Sequence, residues 1–193
     1  LIVNGGHLRP LNPSDTKGMS RSYMLGRKTA EQYHKALKEY LPDAFRDSYL
    51  AETAPLMGVR ESRRIKGKYT LTLEDYVSRR SFSDEIARNS YWLDCHPSGN
   101  EEKTIQVNPD DNYKKGDSHG IPFRCLIPEN ISNLLVAGRC ISVERIVLSS
   151  TRVMPNCLAT GEAAGIAATL AIKENTDVCN ISGEQVMEII KSN

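Results

Sequence analysis

From Pro155 to Ala171 the chain sets down Ala159, Gly161, Ala163, Ala164, Gly165, Ala167, Ala168 and Ala171, with no residue that would break a helix. Pro155 suits the first turn, where its missing amide costs nothing. Gly161 and Gly165, four apart, share one face and leave it almost without side-chain bulk, so the helix can pack very closely on a sheet. Upstream, Leu134-Leu135-Val136-Ala137 is continuously apolar and stops at Gly138, the pattern of a strand buried on both faces. A glycine at the end of such a strand lets a backbone or a ligand come within contact distance. The helix beyond it would aim free amides and a positive dipole end at whatever lies in front. Strand, glycine turn and small-residue helix together describe a site for an extended anionic or polar ligand at the carboxyl ends of strands. The plainer reading is a helix packed tightly on a sheet with no ligand.

The remaining pattern is mixed. Residues 1–28 read as irregular, punctuated by Gly5, Gly6, Pro10, Pro13 and Gly18. Thr29 and Gln32 fit a capping box, and Tyr33, Ala36, Leu37, Tyr40 and Leu41 follow on one helical face until Pro42. Thr72 with Asp75 predicts a short helix through about Val77, and Ser83 another through about Ala87. The polar stretch from Cys95 to Gly120 reads as a long excursion or hairpin. Ile121, Phe123, Cys125 and Ile127 alternate with Pro122, Arg124, Leu126 and Pro128, which predicts a strand with Pro122 at its beginning or edge. Ser182 and Gln185 cap a last short helix. The fold class is α/β, an α+β assembly with a boundary near residue 117: irregular α+β over 1–117, strand–strand–helix over 118–193.

Charge and composition exclude several functions. A formal charge of +1 gives no electrostatic reason to expect nucleic acid or an anionic membrane as partner. No apolar stretch approaches the roughly 20 residues that span a bilayer. Cys95, Cys125, Cys140, Cys157 and Cys179 form no Cys-x-x-Cys pair, so no metal site is expected. Their odd number and wide spacing favour reduced thiols that act as small buried hydrophobes. The compartment stays open, with a cytoplasmic one favoured. Leu1 in place of Met suggests a processed or truncated product.

Several ordered blocks carry a resemblance. Asn133-Leu134-Leu135-Val136-Ala137-Gly138-Arg139-Cys140-Ile141-Ser142 and Thr151-Arg152-Val153-Met154-Pro155-Asn156-Cys157, running into Gly161-Glu162-Ala163-Ala164-Gly165, resemble the end of the FAD-dependent oxidoreductase family. Residues 58–67, Asp94-Cys95-His96 and 121–128 look like that family's intermediate blocks in the same order. The resemblance implies the closing strands and last helix of a doubly wound FAD-binding domain, with part of a substrate-capping domain. It implies that Gly138 and Arg139 approach the ribityl and diphosphate end of FAD, and that Arg152, Met154, Pro155 and Asn156 lie at the flavin edge. A helix amino terminus there stabilises the negative charge of reduced flavin by ~1 kcal/mol, which raises the reduction potential.

One departure from the family is large. None of the glycines forms Gly-x-Gly, so the diphosphate loop is missing from this sequence. The expectation is a fragment that is inactive alone, retains FAD poorly, and depends on the remainder of its own polypeptide. Unless a second copy in a homo-oligomer covers it, the Leu134–Ala137 strand would be exposed. The expected chemistry of the whole is hydride transfer between a small organic substrate and FAD. His96 and His119 are candidate proton donors, and Arg64, with Arg60 and Arg63, a candidate partner for a carboxylate or phosphate. Structural ion pairs and hydrogen-bonded structural histidines are the plainer readings of the same residues. Two other functions compete: a non-catalytic protein-interaction module using the small-residue helix, and a thiol hydrolase built on Cys95, His119 and Asp94. Adjacent residues on an extended segment point to opposite faces, so Asp94-Cys95-His96 is a poor self-contained triad.

Overall fold

A computed structural model describes residues 8, 12, 14–95 and 113–192. The expected excursion between Cys95 and Gly120 falls largely outside them, as does His96. The chain divides into two compact units, one running up to Ser62 and the other from Arg63 onward. Residue 117 lies inside the second.

The first unit is built on α1, Thr16–Tyr40, followed by the single turn α2, Pro42–Phe45. Helix α1 begins well before the capping box expected at Thr29. Asp15 is its N-cap, its carboxylate accepting from the amides of Lys17 and Gly18, so two of the otherwise free amides of the first turn are satisfied. Gly18 and Gly26 thus lie within the helix, where the sequence suggested loop. Thr29 is interior, and its hydroxyl donates back to the Leu25 carbonyl at 2.9 Å. No residue of α1 is buried. Local ties hold the connection that follows: Lys38 Nζ donates to the Ser48 carbonyl at 3.1 Å, and the Met57 amide to the Tyr23 hydroxyl at 3.0 Å.

The second unit holds the core. Its elements are α3 (Leu73–Val77), β1 (Glu85–Asn89), β2 (His119–Pro122), α4 (Arg145–Thr151), α5 (Met154–Glu174) and α6 (Gly183–Ser192). The capping box of α3 is present as the sequence predicts: the Thr72 hydroxyl accepts from the Asp75 amide, and the Asp75 carboxylate accepts from the Thr72 amide. Asp75 is buried and also accepts from Tyr69 Oη at 2.8 Å and Arg80 Nη1 at 2.9 Å. Burial works to raise its pKa, but the bonds from Thr72, Tyr69 and Arg80 outweigh it and hold the carboxyl below its ordinary value. The reciprocal cap of α6 also forms, with Ser182 and Gln185 each accepting from the other's amide at 3.1 Å.

Three local expectations fail. The residues after Ser83 form β1 rather than a helix. Strand β1 pairs antiparallel with β2, with Ala87 opposite Ile121 and Asn89 opposite His119, and a register irregularity between Glu85 and Ala87. Burial of Ile86 and Asn89 outweighs a five-residue local helix signal, which is weak by itself. The strand expected over 121–127 stops at Pro122, which has no amide to continue a ladder. Phe123–Leu126 turns instead into a 3₁₀ helix, and only Arg124 of residues 119–128 is exposed, paired with Asp84 at 2.9 Å. Leu134–Ala137 joins no sheet among the described residues, with Val136 donating one backbone bond to Leu126 at 2.8 Å. Leu134 is 42% exposed and the next three residues are half-buried, so the stretch is partly open rather than covered on both faces.

The result is an α+β fold whose sheet among the described residues has two strands. Tyr76, Leu71, Phe123, Ile121, Leu126, Val147 and Leu148 are fully enclosed. Helix α5 packs against β1 and α6 and contributes Asn156, Thr160, Ala163, Ala167 and Ala171 as its buried face. Gly161 and Gly165 are on the other side, and a Cβ added at either would meet nothing within 4 Å. The close helix–sheet contact is therefore made by alanines, and the glycine face is open. Trp92, expected as a core anchor, is 53% exposed and stacks on Tyr91 with ring centroids 4.2 Å apart.

Candidate active site

Helix α5 has 21 residues and no side-chain cap at its amino terminus. Its N-cap, Val153, offers no side-chain hydrogen bond, and no acidic residue lies in its first turn. Pro155 stands at the head of the helix as the sequence predicts, and Met154 beside it is 77% exposed. The partial positive charge at this end therefore meets no carboxylate of its own helix, the condition under which a helix terminus best holds an anion.

Gly138 opens a 3₁₀ turn, Gly138–Cys140, with a φ of 72°. That left-handed conformation suits glycine and costs an L-residue roughly 1–2 kcal/mol. The turn packs directly on α5. The Gly138 amide donates to the Thr160 hydroxyl at 3.0 Å, and a Cβ at 138 would lie 3.9 Å from Cys157 Sγ. Glycine is thus required here by backbone conformation, not by crowding. Arg139, in the same turn, is exposed.

The four residues of the second block separate into two kinds. Met154 and Pro155 are exposed at the helix terminus, whereas Asn156 and Arg152 are turned inward. Asn156 is 6% exposed and donates from Nδ2 to Asn89 Oδ1 at 2.8 Å. Asn89 Nδ2 donates in turn to Ser150 Oγ, 2.6 Å away, and Ser150 Oγ donates to the Tyr91 carbonyl at 2.7 Å. Asn89 Oδ1 accepts a second bond from the Tyr91 amide at 3.1 Å. The guanidinium of Arg152, with its side chain 10% exposed, donates to the Asp94 carbonyl at 2.7 Å and lies 3.6 Å from the Asp94 carboxylate. Asn156 thereby fastens the α4–α5 corner to the end of β1, and Arg152 fastens it to the segment that follows.

Of the two candidate proton donors, His119 lies among the described residues. His119 is fully buried; Tyr113 Oη is hydrogen-bonded to its Nδ1, and its Nε2 has no hydrogen-bond partner among the described residues. Burial, and secondarily the positive charge of Arg88, lowers its pKa from 6.5 to about 4. His119 is therefore a buried, neutral ring at neutral pH. Arg64 is exposed, and His96 lies outside the described residues. The Cys95 thiol lies 3.2 Å from Ser149 Oγ and shares no hydrogen bond with His119, so the geometry does not assemble a thiol hydrolase.

All five cysteines are free, but only Cys125 is buried; Cys140 is exposed and the other three are half-buried. Burial pushes the Cys125 thiol up to about 12, which makes it an inert apolar filler. Among the described residues no group of three or more metal-ligating side chains is placed to hold a metal ion, and no helix is long and apolar enough to cross a membrane.

Sequence reasoning missed Asn89, Ser150 and Thr160. The signal for Thr160 was present, a polar residue inside an otherwise small and apolar helix. Asn89 was hidden by the mistaken helix after Ser83. No curated protein and no solved structure matches the chain. A family model described as FAD dependent oxidoreductase matches residues 3–190. With nearly the whole chain aligned to that model, this protein belongs to the FAD-dependent oxidoreductase family.

Proposed function

We propose that this chain forms the flavin-facing part of an enzyme that moves a hydride between a small organic substrate and FAD. The observation that carries the reading is the pairing of the Gly138 turn with the uncapped amino terminus of α5. FAD, when bound, supplies a ring that takes a hydride from a substrate carbon or returns one to it. The residues present fit the flavin end of that cofactor. Gly138 offers backbone without a side chain, Arg139 an exposed cation beside it, and Met154 and Pro155 leave the first turn of α5 open. Free amides there complement negative charge on the facing edge of a ring. Arg152 and Asn156 act one step back: they hold the helix corner still, so that its amides keep their aim.

The adenosine and diphosphate end has no counterpart among these residues, because the sequence has no Gly-x-Gly turn. That half of the site belongs to the remainder of the polypeptide, and the isolated chain is inactive and releases FAD. The test is the visible spectrum after gel filtration in the presence of FAD. This chain alone is expected to emerge colourless, and the polypeptide that joins it to its Gly-x-Gly-x-x-Gly segment to emerge with the bands of oxidised flavin. A colourless joined protein would remove the reading.

A further inference from the structure

We infer that Thr160 is a positioning residue that sets the Gly138 turn and the first turn of α5 in one rigid frame, so that both present themselves to FAD at a fixed separation. The inference rests on the flavin reading above. Thr160 is 1% exposed, nearly two turns into α5. Its single hydroxyl proton is directed at the Asn156 carbonyl, 2.8 Å away, with the Cys157 carbonyl at 3.1 Å. Its oxygen accepts the Gly138 amide at 3.0 Å. One side chain therefore links the turn to the opening residues of the helix.

The chain of bonds continues past it. Asn156 is tied through its own side chain to Asn89 on β1, and Asn89 to Ser150 at the end of α4. Three buried polar residues, Thr160, Asn156 and Asn89, thus join the turn, the helix terminus and the strand. A hydrogen bond inside an α-helix to a preceding carbonyl is common and local, and by itself would suggest nothing. The Gly138 bond is different, because it spans 22 residues and ends on a backbone amide in a left-handed turn. Without the hydroxyl that amide would be left part-buried with no acceptor, and the turn would be free to drift relative to α5. A shift of that kind changes the spacing between two segments that must meet one cofactor.

Thr160→Val keeps the shape and removes the hydroxyl, and Thr160→Ser restores it. In this chain, with no flavin present, Thr160→Val is expected to speed amide hydrogen exchange at Gly138–Cys140 by about tenfold, and Thr160→Ser to stay within about twofold of wild type. Exchange in β1 and α6 serves as the reference for global unfolding and should not change. In the FAD-loaded joined polypeptide, Thr160→Val is expected to weaken FAD retention about tenfold and shift the flavin bands, with Thr160→Ser restoring both. Unchanged exchange at Gly138 would overturn the inference, as would faster exchange with unaltered FAD retention and spectrum. A wild-type joined protein without flavin would sink the function proposed above and this inference with it. A loaded wild type that Thr160→Val leaves unaltered would sink this inference alone.

Discussion

Between pH 6.5 and about 4 the second unit is expected to lose about 3 kcal/mol of stability through His119 alone. The ring is fully buried beside Tyr76 and Tyr113, with centroids 5.3 Å and 5.8 Å from theirs, and Arg88 lies on the neighbouring strand. Asp75 exerts a smaller pull in the opposite direction. In the folded protein the imidazole stays neutral down to about pH 4, whereas in the unfolded chain it takes a proton near its ordinary 6.5. Above 6.5 neither state is charged and the contribution is constant. Below it only the unfolded state gains a proton, so stability falls with pH until the folded ring titrates too. Urea unfolding of wild type and His119→Gln at pH 7, 5 and 4 checks this. The variant should begin less stable and lose about 3 kcal/mol less over that interval. Parallel loss in both proteins would place the acid sensitivity elsewhere.

The second large effect concerns Asn89. Its amide meets Asn156 and the Tyr91 amide through Oδ1, and Ser150 through Nδ2. Asn89→Ala would leave these groups without partners at a site where Asn89 is 3% and Ser150 0% exposed. Each buried polar group stripped of its bond costs about 1–3 kcal/mol, and some of the groups keep a second bond. Asn156 also reaches the Ser150 carbonyl at 3.4 Å, and Ser150 keeps the Tyr91 carbonyl. The expected loss is therefore about 2–4 kcal/mol, read as a drop in the urea midpoint. Ser150→Ala should cost less, because it strands fewer atoms. A loss below about 0.5 kcal/mol for Asn89→Ala would mean that water satisfies the freed groups.

What was legible in the sequence followed how local the governing physics is. The caps at Thr72 and Ser182 and the proline at the head of α5 depend on residues three or four apart, and all were read correctly. The start of helix α1 is hidden in the sequence because Gly18 adds to the glycines and prolines that punctuate residues 1–28, although an Asp15 cap offsets its cost. Strand β1 could not be read locally, because it owes its form to pairing with β2 some thirty residues later and to burial of Asn89. Leu134–Ala137 has a strand composition but finds no strand partner among the described residues, and composition alone carries no information on partners. The same limit applied at the site. Gly138 and the head of α5 were visible as motifs, but the inward turn of Arg152 and Asn156 was not, since one sequence does not say which polar residues face each other across a core.

The central claim is that the amino terminus of α5 faces the reacting ring of FAD. It is tested most directly by placing a charge there and reading the two-electron reduction potential of the joined, FAD-loaded protein. Met154→Glu puts a carboxylate on an exposed position at the head of the helix, and Ile172→Glu puts one near its far end, where Ile172 is 82% exposed. Neither substitution removes a buried contact, so both proteins should melt as wild type does. Met154→Glu is expected to lower the potential by roughly 30 mV, equivalent to about 1.4 kcal/mol, and Ile172→Glu to leave it unchanged. Equal potentials in wild type and both variants would contradict it and place the ring elsewhere.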